Sequence, residues 1–116
     1  MSINQNLINY CKLPILGEIV NSIVSIVDPD KIILFGSYAR GDNHEKSDVD
    51  LLVIKKGLTK ERDTSKLIER TLYKQNIFTA TDILTVDPEK YQKNINVLGN
   101  IYKTINLEGK VIYERL

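Results

Sequence analysis

The chain has 116 residues, 42% hydrophobic and 27% charged, a balance that fits an ordinary globular protein and argues against a disordered or fibrous one. That length serves one domain, residues 1–116, and is too short for a second with its own core. Sixteen basic against fifteen acidic residues leave a net charge of +1, so there is no global positive field to hold an extended nucleic acid.

Residues 1–13 are Asn-rich, show no clear period and are read as an N-terminal extension. Pro14 then stands where the first turn of a helix tolerates proline. Ile15, Leu16, Ile19, Val20, Ile23, Val24 and Val27 follow at helical spacing, and Asp28-Pro29-Asp30 ends the helix. Residues 31–35, Lys-Ile-Ile-Leu-Phe, are an almost wholly apolar run of strand length, closed by Gly36. A polar, turn-rich stretch over 37–47 leads to a second strand over 48–54, ended by Lys55-Lys56-Gly57. Thr59 is placed to cap a charged helix running to about Gln75, with Leu67, Ile68 and Leu72 as its apolar stripe. A third strand is predicted over about 78–86, and Asp87-Pro88 reads as an N-cap with proline at the first helical position of a short helix through Tyr91. Residues 97–107 predict a last helix, terminated by Gly109 before a short strand over 111–113. Helices alternating with few strands argue for an α/β fold with a small sheet.

Cys11 is the sole cysteine and His44 the sole histidine, which excludes an internal disulfide, a cysteine zinc site and a self-contained Ser-His-Asp or Cys-His mechanism. Chemistry must therefore run on carboxylates, hydroxyls and metal. The apolar stretches are broken by polar residues well short of a bilayer span, and residues 1–12 lack a signal peptide's basic start and apolar core, so the expectation is a cytoplasmic protein without membrane attachment.

Asp48 and Asp50 are two apart on a predicted strand, so they share a face with Cα atoms roughly 7 Å apart. Leu52 and Ile54 continue that face as core. Two ionised carboxylates at the rim of an apolar sheet are costly unless a cation neutralises them, and hard oxygen ligands suit Mg²⁺ or Mn²⁺. The bland alternative is a solvated strand edge. Gly36 lets an anion approach the backbone, and Ser37 can open a short helix whose free N–H groups bind phosphate; an ordinary strand-to-helix turn would use the same residues. Asp82 interrupts an apolar face of the third strand, which leaves either a salt bridge, for instance to Arg40, or a third metal ligand.

Together Gly36-Ser37-Tyr38-Ala39-Arg40-Gly41, the ten residues between Ser37 and Asp48, Asp48-Val49-Asp50 and the later Asp82 resemble the DNA polymerase beta-like nucleotidyltransferase superfamily. The short chain and its ending, from Ile101-Tyr102-Lys103 to Glu108-Gly109-Lys110-Val111-Ile112-Tyr113-Glu114, resemble the prokaryotic minimal nucleotidyltransferases, over about residues 15–115. The resemblance implies a small mixed β-sheet backed by helices, an α+β arrangement. It also implies two Mg²⁺ ions on Asp48, Asp50 and Asp82, phosphates of ATP on Gly36 and Ser37, and Asp82 nearest the acceptor as a proton acceptor. Arg40 would brace the loop or touch phosphate. Tyr38 and His44 lie in the same loop and are read as outside the catalytic set.

Minimal nucleotidyltransferases of this kind resemble antitoxins paired with HEPN-domain ribonuclease toxins, and some of these antitoxins silence the toxin by transferring AMP from ATP to a tyrosine on it. The resemblance therefore implies a protein adenylyltransferase antitoxin in a hetero-oligomer with its toxin. Two alternatives remain at this stage: a small-molecule nucleotidyltransferase of the aminoglycoside-modifying kind, and a non-catalytic antitoxin that acts by occlusion.

Overall fold

The computed structural model describes residues 2–115, and among these it forms five strands and six helices. In chain order they are β1 (Ser2–Ile3), α1 (Gln5–Cys11), α2 (Ile15–Val27), β2 (Lys31–Phe35), α3 (Ser37–Arg40), β3 (Val49–Ile54), α4 (Glu61–Lys74), β4 (Thr81–Val86), α5 (Pro88–Asn94), α6 (Ile101–Glu108) and β5 (Lys110–Glu114). The strands make one mixed sheet in the order β1-β5-β2-β3-β4. Only β3 and β4 pair in parallel, joined by α4 as a crossover; the other pairs are antiparallel. This is the small mixed sheet backed by helices that the motif resemblance implied.

Period-two alternation in the central strands divides the core between the two sheet faces. Val49, Leu51 and Val53 of β3 join Ile32 and Leu34 of β2 in a larger cluster that takes Leu16, Ile19, Val20 and Ile23 from α2 and Ile68 and Leu72 from α4. Leu52 and Ile54 point the other way and pack with Ile33, Phe35, Val86, Tyr91 of α5 and Ile105 of α6. A central strand apolar on both faces needs cover on both, and the helices divide accordingly. Asp50 interrupts the second face. It is the one residue of β3 that is not buried.

Several boundaries differ from the sequence expectation, β3 starting at Val49 rather than 48, α6 ending at Glu108 rather than 107 and β5 spanning Lys110–Glu114 rather than 111–113 among them. Residues 1–13 are not a bare extension: within the described part, β1 pairs with β5, and α1 buries Leu7, Ile8 and Cys11 in the larger cluster. Asn4 caps α1 by accepting from the Leu7 N–H. Thr59 does not cap α4: the cap position falls on Lys60, without a side-chain bond, while Glu61 and Asp63 supply negative charge to the first turn. The third strand begins at Thr81 rather than near residue 78, and the last helix begins at Ile101, capped by Asn100, rather than at 97. The Asp87-Pro88 start is as expected, with the Asp87 carboxylate accepting from the Glu89 N–H.

Candidate active site

Strand register brings the candidate residues together. Phe35, the last residue of β2, is the partner of Asp50, and Asp50 in turn is the parallel partner of Asp82. Register partners share a face, and neighbouring strands lie about 4.8 Å apart, so Gly36, Asp50 and Asp82 meet at one end of three adjacent strands. Asp48 precedes β3 by one residue and lies on the same end. Asp48 and Asp82 are exposed, and Asp50 is partly buried between them. Asp82 lies on β4, the outermost strand on that side, and opens to solvent.

Gly36 has φ +72° and ψ −154°, a region that side chains avoid. A Cβ built there would stand 2.0 Å from Asp50 Oδ2 and 3.0 Å from its Cγ. The glycine therefore lets the Asp50 carboxylate lie directly on the turn. Beyond it Ser37–Arg40 form one helical turn, with the Ala39 and Arg40 N–H groups donating to the Gly36 carbonyl at 3.1 and 3.0 Å. The first N–H groups of such a turn have no partner within the helix, and Ser37 adds a hydroxyl beside them. Tyr38 is buried, and its carbonyl lies 3.8 Å from Cys11 Sγ; His44 is exposed in the following loop.

Burial first, then the charges of Asp82 and Asp48, push the Asp50 carboxyl above its ordinary value, with a smaller opposing pull from Arg40. The cluster thus has an excess of negative charge. The Arg40–Asp82 salt bridge considered from sequence is not formed: Arg40 Nε donates to Asp42 Oδ2 at 3.1 Å and Nη1 to Glu108 Oε2 at 3.2 Å. A divalent cation fits this donor set by charge and by oxygen hardness, with Asp48, Asp50 and Asp82 as its holders. Among the described residues no group of three His, Cys, Asp or Glu is arranged as a ready ligand set, so side-chain rotation would have to bring the carboxylates inward. Glu108 was not a candidate from sequence. From sequence it stood only in the motif that ends the chain; the structure makes it the last residue of α6, a position where acids are disfavoured.

A helical turn whose first N–H groups have no helix partner, lying beside three carboxylates, suits transfer of a phosphorus-centred group. The nucleotidyltransferase domain model matches residues 16–111, and the chain belongs to that family. Two proteins of Methanocaldococcus jannaschii named as candidate protein adenylyltransferases are similar to it. One is 41% identical over 59 residues, covering 49% of this chain and 60% of the relative; the other is 35% identical over 83 residues, covering 72% and 77%. The chain thus spans less than two thirds of the first relative's length. A candidate nucleotidyltransferase from Sulfolobus solfataricus shares the fold at 21% identity and a TM-score of 0.60, covering 96% of this chain and 86% of that one. A toxin-antitoxin crystallised with AMP-PNP does so at 19% identity and a TM-score of 0.57, covering 84% and 73%. No helix among the described residues is long and apolar enough to cross a membrane.

Proposed function

We propose that this chain is a Mg²⁺-dependent protein adenylyltransferase of the cytoplasm, an antitoxin that transfers AMP from ATP to a tyrosine of a cognate HEPN-domain ribonuclease toxin. The observation that carries the reading is the direct contact between the Gly36 turn and Asp50, with Asp82 as Asp50's parallel partner. Phosphate and cation seats are thereby neighbours. Relatives named as candidate protein adenylyltransferases support a protein acceptor, and the toxin-antitoxin neighbour bound to AMP-PNP supports both a toxin and ATP.

In this reading Gly36, Ser37 and the start of α3 hold the triphosphate, and Asp48, Asp50 and Asp82 hold two Mg²⁺ ions. Bound there, Mg²⁺ supplies positive charge that offsets the triphosphate and the departing pyrophosphate. The tyrosine oxygen attacks the α-phosphorus, the bond to the β-phosphate oxygen breaks, and pyrophosphate leaves. Asp82, exposed on the outer strand, accepts the hydroxyl proton. An open site with two exposed carboxylates suits an acceptor presented on another protein's surface better than a small molecule that needs walls.

The test is transfer of label from α-labelled ATP with Mg²⁺, offering either the toxin encoded beside this chain or an aminoglycoside. Label on the toxin, lost when EDTA is added, is the expected result. Label on the drug and none on the toxin would sink the protein-acceptor reading.

A further inference from the structure

Glu108 is the last residue of α6, so its carboxylate sits at the negative end of the helix. A local rule broken in this way marks a position held for another reason. The Glu108 side chain accepts from Arg40 across 68 residues of sequence, while Asp42 accepts from the other side of the same guanidinium. Both partners of the Arg40–Glu108 pair are about 40% exposed, 44% and 40%, so it adds little to global stability.

The contact is built by the next residue. A Cβ on Gly109 would stand 2.4 Å from the Ile105 carbonyl oxygen and 2.5 Å from Ile33 Cγ2, so glycine there lets the end of α6 lie directly on β2. Lys110 then pairs with Leu34, the residue before Phe35. Gly109 thus provides the close approach, and Glu108 uses it to reach α3. Arg40, the last residue of α3, donates its N–H to the Gly36 carbonyl at 3.0 Å, one helical turn from the Gly36-Ser37 seat.

We infer that Glu108 is a positioning residue for nucleotide binding: with Asp42 it anchors Arg40, and through Arg40 it holds α3 and the Gly36-Ser37 turn against Asp50. This rests on the reading that the turn seats the triphosphate. The anchorage also commits the guanidinium to Asp42 and Glu108, leaving the charge of Asp48, Asp50 and Asp82 for a cation.

Glu108→Gln keeps the side-chain shape and removes the charge. The expected result is that affinity for a non-hydrolysable ATP analogue with Mg²⁺ falls by about two- to fivefold, the most that losing one exposed ion pair can lower the population of the ordered turn. KM for ATP rises in parallel, kcat changes by less than about twofold, and thermal stability is unchanged. Backbone amides of α3 exchange hydrogen faster. Arg40→Gln weakens binding too, and adding Glu108→Gln to it costs nothing further, because the two residues act as one unit. Unchanged affinity with unchanged α3 exchange, or additive losses in the double variant, would overturn the inference. If the wild-type chain bound no nucleotide, the functional reading would fail, while α3 exchange would still decide whether Glu108 holds that turn.

Discussion

Replacing Gly36 with alanine puts a methyl group 2.0 Å from Asp50 Oδ2, 3.0 Å from Cγ and 3.3 Å from Cβ. The carboxylate end could swing aside, but the nearness of Cγ and Cβ means that β3 or the turn must also give. The backbone adds its own penalty, since φ +72° and ψ −154° lie in a region essentially reserved for glycine, costing about 1–3 kcal/mol for any other residue. Against a typical total stability of about 5–15 kcal/mol the variant still folds. At about 4–8 °C per kcal/mol for a domain near this size, its melting temperature should drop by roughly 5–20 °C. Transfer should fall further than stability does, because displacing a reacting group by about 1 Å can cost on the order of 10²-fold. Gly57→Ala is the control: φ is +80° there too, yet nothing lies within 4 Å of the added Cβ, so it should cost some stability and leave transfer intact. Melting curves and label transfer from α-labelled ATP, run on both variants, measure the two effects separately. A Gly36→Ala protein with wild-type transfer would refute the close packing of turn and carboxylate.

Asp50→Asn should abolish transfer and yet raise thermal stability in EDTA. The folded-state value of Asp50 lies above the ordinary carboxylate range, so the folded chain holds that proton more tightly than the unfolded one. This contribution favours the fold at acid pH and is lost as pH rises from the ordinary value through the raised one. The stability gap between the Asp50→Asn variant and wild type should therefore widen from acid to neutral pH; a gap independent of pH would refute the cause assigned. Ile68 is fully buried between α4 and the sheet, so Ile68→Ala should cost about 2–5 kcal/mol in urea unfolding, and a loss under about 1 kcal/mol would contradict its place in the core. Mg²⁺ should raise the melting temperature of the wild type and not that of the Asp48→Asn, Asp50→Asn double variant, since only an ion that binds the folded state in preference to the unfolded raises the transition.

The elements around the site were the legible ones. Residues 31–35 and 48–54 are short apolar runs broken by Gly36 and by acids, and a buried strand that ends in chemistry has that form. Asp87-Pro88 signalled its helix through capping chemistry local to four residues. What escaped depends on distant partners. The first strand is held by pairing with β5, and the Asn4 N–H donates to the Ile112 carbonyl, a bond that no local period announces. Thr59 was a reasonable cap by residue type, but the first residue of α4 is tied instead to β4, where the Thr85 hydroxyl donates to the Glu61 carbonyl. Arg40 could be given a bracing role from its loop, but Glu108, its brace, lies 68 residues away.

The most direct test of the central claim is the intact mass of the toxin after incubation with ATP, Mg²⁺ and this chain, beside the same mixture made with the Asp48→Asn, Asp50→Asn double variant. Toxin heavier by AMP, mapped to a tyrosine, is expected in the first mixture and unmodified toxin in the second. Toxin silenced equally by both proteins and unmodified in each would contradict the claim, and would assign protection to occlusion instead.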